Sequence, residues 1–152
     1  MSEFRIEKVR RPVVVKLVGG TTLEGDIFLQ PWARYRSGTQ NPADLLNEPE
    51  PFFPLSSAGD DMVMVAKDRV TQVQFDDGSP EAEDGGAAEV AVDVVLADGT
   101  QISGDLRLEA RSDRARLLDF LNGDHQRFLT IRTEAAVCLV NRAQIAQVRH
   151  GH

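Results

Sequence analysis

The chain has 152 residues, 41% of them hydrophobic and only 6% aromatic, with a net charge of −7. That length allows one ordinary domain or two small ones, and the Val-rich composition suits small β-branched cores better than a large ligand-holding one. A single cysteine, Cys138, excludes an intrachain disulfide and a thiol-built zinc site, and no run approaches the ~18 apolar residues of a membrane span.

The opening residues, MSEFRIEKVRRP, hold no apolar stretch of the leader type, which predicts a cytoplasmic protein. Residues 13–29, VVVKLVGGTTLEGDIFL, then return as residues 92–108, VDVVLADGTQISGDLRL, with eight of seventeen positions identical. A repeat of this size predicts two copies of one module. In each copy the segment reads as a β-hairpin, turning at Gly19-Gly20 and at Asp98-Gly99. Val13, Val15 and Leu17 share a strand face, as do Val92, Val94 and Leu96. In the return strand Leu23, Gly25, Ile27 and Leu29 share parity, matched by Ile102, Gly104, Leu106 and Leu108, which predicts an inward glycine where the strand bends. Phe28 has the opposite parity, so the insertion or a partner is expected to cover it.

A short helix is predicted next in each copy. Asn41 precedes Pro42 as a cap before residues 43–47, and Ser112 caps a segment that stops at Asn122-Gly123. The copies share Asp-x-Leu-Asn, at Asp44, Leu46, Asn47 and at Asp119, Leu121, Asn122. The late strands follow at the same offset of seventy-five. Residues 62–65, Met-Val-Met-Val, match residues 137–140, Val-Cys-Leu-Val, and both runs are apolar at every position. A strand that wants cover on both faces in so small a module predicts a neighbouring chain or module, with Val63, Val65, Cys138 and Val140 as candidate interface residues alongside Phe28. The three-residue spacing of Val70 and Val73 suits a bulge or a 3₁₀ turn as well as a flat strand.

Between the copies, residues 76–89 carry six acids and no base, which leaves the remainder of the chain at −1. This composition predicts a solvated, flexible linker with a span of about 20 Å. The expected organisation is therefore a first module at 1–75, an acidic linker at 76–89 and a second module at 90–152.

The pattern V-x-V-x-L-x-x-G-x-x-L-x-G-D-I at 13–27, its copy at 92–106, and the closing residues 139–148 resemble the Sm-like (LSm) fold, most nearly that of the bacterial Sm-like RNA chaperones. The resemblance covers most of both modules except residues 30–51. It implies a mainly β protein, with two tandem small five-stranded Sm-like (SH3-type) barrels. It also implies oligomers that pair edge to edge through late strands, within the chain or between chains, and a pseudo-sixfold ring if three chains close. This sequence departs from the family in two ways. Its helix lies between strands two and three rather than before strand one, and Asn141-Arg142-Ala143 and Ala66-Lys67-Asp68 stand where the last turn often carries an arginine-glycine pair.

Catalytic patterns are missing. There is no G-x-S-x-G, no H-E-x-x-H and no phosphate loop, and His125, His150 and His152 have no partners in a triad pattern. The expectation is a non-enzyme without metal or cofactor. Two insertions carry the candidate binding residues. The first holds Trp32, Arg34, Tyr35 and Arg36, and the second holds Arg111, Arg114 and Arg116. Aromatic faces stack bases and guanidinium groups hold phosphates, so single-stranded RNA would suit them. The same residue types also seal the end of a barrel or build a protein interface. The sequence thus supports a non-catalytic assembly or interaction module that forms homo-oligomers, with single-stranded RNA binding as the alternative.

Overall fold

A computed structural model describes residues 9–31, 40–57, 59, 61–76, 88–108, 117–123 and 126–151. The first half supplies strands β1 (Val9–Leu17), β2 (Thr22–Leu29), β3 (Phe52–Ser57), β4 (Met62–Ala66) and β5 (Val70–Phe75). The second supplies β6 (Ala88–Leu96), β7 (Gln101–Leu108), β8 (Phe128–Arg132), β9 (Val137–Asn141) and β10 (Ile145–His150). Helix α1 (Pro42–Leu46) lies between β2 and β3, and α2 (Leu117–Asn122) between β7 and β8. The chain is mainly β, and each half has a short helix after its second strand.

Local chemistry sets these elements. The first hairpin turns through Gly19 and Gly20 and the second through Gly99, all at positive φ. Asp98 accepts a hydrogen bond from the Thr100 amide at 2.9 Å, which holds its carboxyl below the ordinary range. Gly25 and Gly104 answer to a different need. A Cβ on either would run into a backbone carbonyl of the next strand, that of Ser56 or of Arg132, so the repeated glycine permits close strand approach. Asn41 caps α1 in a reciprocal box with Asp44, at 2.9 Å in each direction. The valines three apart are explained by a 3₁₀ turn, Lys67–Arg69, that delivers Val70 to β5, together with a register shift in β1 between Lys16 and Leu17.

The ten strands form one antiparallel sheet in the order β10-β6-β7-β8-β9-β5-β1-β2-β3-β4. Each half contributes five neighbours in the same internal order, the fifth strand beside the first and the fourth at the far side. The halves do not stand apart as two closed barrels. β5 of the first pairs with β9 of the second, and this one antiparallel seam makes the sheet continuous and open. Two cores flank the seam. The first gathers Val13, Val15, Ile27, Leu29, Leu46, Phe53, Leu55, Val65, Val70 and Val73, and it also takes Phe128 and Leu139 from the second half. The second gathers Val92, Val94, Leu96, Ile102, Leu106, Leu108, Leu129, Ile131, Cys138 and Val140.

Candidate assembly interface

The β5–β9 seam shows what one half requires of a neighbour. Its register places Gln72 opposite Val140, Val73 opposite Leu139, Gln74 opposite Cys138 and Phe75 opposite Val137. All five residues of β9 are buried, and so are the first four of β5. Phe128 is covered at the end of β8, where α1 meets β8.

Polar groups fix the seam. The Asn47 side chain, just past the end of α1, clasps the backbone of Phe128. Its Oδ1 accepts the Phe128 amide at 2.7 Å, and its Nδ2 donates to the Phe128 carbonyl at 3.3 Å. Asn141 reaches the other way, donating from Nδ2 to the carbonyls of Lys67 at 3.2 Å and Val70 at 2.8 Å. Lys67 is itself buried, and its Nζ donates to the Glu48 carbonyl at 2.8 Å and, at 3.2 Å, to the Leu45 carbonyl that also accepts the Glu48 amide as α1 ends. Burial pushes this ammonium below its ordinary value, and the nearby charge of Arg127 adds to the effect. Arg142, the counterpart of Lys67, donates in the same way to the Gly123 carbonyl after α2.

The repeat leaves one such half-seam open at each end of the sheet. Phe53 pairs with Val65 and Leu55 with Val63, as Leu129 pairs with Val140 and Ile131 with Cys138, so β3 and β4 superpose on β8 and β9 residue by residue. Burial does not follow the repeat. Phe52, Met62 and Met64 are 56%, 50% and 60% exposed, while their counterparts Phe128, Val137 and Leu139 are 0%, 4% and 0% exposed. At the opposite edge, β10 pairs only with β6, and Ala146, Gln147, Arg149 and His150 are exposed where their β5 counterparts are largely covered. Leu118 of α2 is 66% exposed, and its counterpart Ala43 packs against the first core. Four of the six large exposed apolar residues among those described therefore lie on the two open half-seams.

The interface residues expected from sequence fall on both kinds of edge. Cys138 and Val140 sit in β9, where β5 of the same chain covers them, and burial raises the Cys138 thiol above its ordinary value so that it stays protonated. Val65 is buried and Val63 half-buried in the uncovered β4. Phe28 is half-buried under the Arg10 guanidinium, 5.2 Å from its ring centroid, while Arg10 also meets Asp26 at 3.4 Å. From the apolar run 62–65 the sequence pointed to Val63 and Val65 rather than to Met62 and Met64, and Phe52 and Leu118 were not singled out. The repeat itself held the signal for them, because each is an apolar residue at a position whose counterpart needs cover. Trp32, Arg34, Tyr35, Arg36, Arg111, Arg114 and Arg116 lie outside the described residues. Their attachment points are equivalent, since the first insertion follows Leu29 and the second Leu108. Gln40 ties off the first, with its Oε1 accepting the Gln30 amide at 2.8 Å and its Nε2 donating to Glu48 at 2.8 Å.

Two open clefts of about 750 and 560 Å³ repeat beside Gly104-Asp105 and Gly25-Asp26. Among the described residues no three of His, Cys, Asp and Glu converge, and no helix is long and apolar enough to cross a membrane. No family model matches the chain, and no curated protein or solved structure matches it.

Proposed function

We propose that this chain is a non-catalytic assembly module built of two Sm-like halves, and that it self-associates through the uncovered β4 and β10 edges. The observation that carries the reading is the mismatch between repeat and burial. Phe52, Met62 and Met64 present the apolar surface that Phe128, Val137 and Leu139 bury in the seam. Full burial of a large apolar side chain is worth about 1.5–3 kcal/mol, and these three start about half exposed, so they offset part of the cost of association and the strand ladder and helix contact supply the rest. An unpaired edge with an apolar stripe is also a liability unless something pairs with it. A charge at Met64, which is exposed in the single chain, leaves the fold intact and stops association. Sedimentation of wild type and Met64→Asp over a range of concentrations tests this. The wild type should sediment above the mass of one chain and the variant at it. A wild type that stays a single chain at all concentrations would sink the proposal.

A second reading, single-stranded RNA bound by the basic insertions, draws support from their equivalent attachment beside the two helices. Such insertions would recur at regular intervals in any assembly of these halves. Titration of mixed single-stranded RNA against Trp32 fluorescence should then show saturable quenching that fades with salt and weakens in Arg34→Ala/Arg36→Ala. A flat signal would remove the first insertion from consideration.

A further inference from the structure

The self-assembly reading leaves open what holds one copy to the next, and the internal seam supplies a template. We propose that α2 of one copy docks over Phe52 of a second copy, with the Asn122 side chain clasping the Phe52 backbone as Asn47 clasps that of Phe128. The occupant of the β4 edge is thus a second copy of this chain, entering with its β10 and α2. This inference rests on the assembly reading above.

Four observations carry it. Asn122 stands at the end of α2 where Asn47 stands at the end of α1, both followed by a residue whose carbonyl is capped by the cation of the following 3₁₀ turn. The Lys67 amide donates to the Pro51 carbonyl at 2.8 Å, as the Arg142 amide donates to that of Arg127 at 2.9 Å. This shared ladder turns the amide and carbonyl of Phe52 away from β4, as those of Phe128 are turned away from β9. Leu118 is exposed on α2 at the place from which Ala43 reaches the first core, so the helix offers an apolar seat for the Phe52 ring. Finally, the register is dictated. Carrying the seam through the repeat sets Gln147 opposite Val65, Val148 opposite Met64, Arg149 opposite Val63 and His150 opposite Met62.

One departure from the repeat makes the junction between copies the weaker one. Asn141 spans the seam to two carbonyls of the first half, and its counterpart is Ala66, which has nothing to donate. The internal seam therefore persists when the junction between copies opens.

The test is a pair of opposite variants compared with wild type by concentration-dependent sedimentation. Asn122→Ala should weaken self-association about tenfold with little change in the melting of the single chain. Ala66→Asn, which restores the missing donor, should tighten it by a similar factor. Register is read separately, in a Cys138→Ala background, by mixing Met64→Cys chains with Val148→Cys chains. Facing positions on neighbouring strands fall within disulfide reach, so a mixed disulfide should form under oxidation. If wild type does not associate, the assembly reading fails and this inference with it. If wild type associates while Asn122→Ala is unchanged and no mixed disulfide forms, assembly stands and the α2–Phe52 docking is overturned.

Discussion

Single residues hold this fold at places where backbone would otherwise go unpaired, and Lys67 is the clearest case. Its ammonium is buried against the last carbonyls of α1. Replacing it with Met takes the ammonium from the Glu48 carbonyl, while the Leu45 carbonyl keeps the Glu48 amide, at a cost of roughly 1–3 kcal/mol. The pH dependence has a definite sign. Burial lowers the folded-state value below the ordinary 10.5, so between the two values the unfolded chain binds more protons than the folded one. Wild-type stability therefore rises with pH across that window, and the difference is constant below it. Urea melts of wild type and Lys67→Met from neutral pH to beyond 10 should show the wild-type advantage growing as pH rises. Parallel profiles would mean that the folded chain holds this proton no less tightly than the unfolded one. Gly25 and Gly104 were legible in the sequence as a repeated inward glycine, yet the reason is visible only in three dimensions, where strand-to-strand approach leaves no room for a methyl group.

At the scale of elements, β4 and β9 began as the same prediction and ended in different environments. The apolar run announces that an edge wants a neighbour, because hydropathy records the need for cover. It does not record who supplies the cover, which depends on how the linker lets the second half reach the first. Hence the hairpins, the two inserted helices and the late strands were readable from periodicity and turn chemistry, while pairing within the chain, as at the β5–β9 seam, stood only as one of two alternatives. The stop of α2 at Asn122-Gly123 was readable too, whereas Asn47, marked only as part of the shared Asp-x-Leu-Asn, turned out to hold the backbone of Phe128. The two strands now predict opposite injuries. Val140→Asp places a carboxylate in a strand buried throughout, with no partner for the charge, and should destabilise the single chain by several kcal/mol. Thermal melting and circular dichroism of Val140→Asp beside Met64→Asp check this. Equal melting temperatures in the two variants would mean that the seam contributes little to folding.

At the scale of the whole molecule, the ends of the sheet are unlike but complementary. β10 with α2 lies at one end and β4 with Phe52 at the other. The proposed junction would be head-to-tail, so it would either close after a fixed number of copies or run on as a fibre. Curvature accumulated along the ten strands decides between these outcomes, and the three-chain, six-module ring implied by the Sm-like resemblance is the closed case.

The seam between β5 and β9 also bears on how the chain is made. An emerging first half completes its five strands before any of β9 exists, and it presents β5 unpaired throughout that interval. Any finished second half nearby can answer that edge as well as the chain's own can, because the contacts are the same whichever chain carries them. Crowded synthesis would then exchange halves between neighbours, yielding products identical in every local contact and different only in connectivity. The covalent connection between β5 and β6 raises the concentration of one half at the other and so favours the chain's own partner.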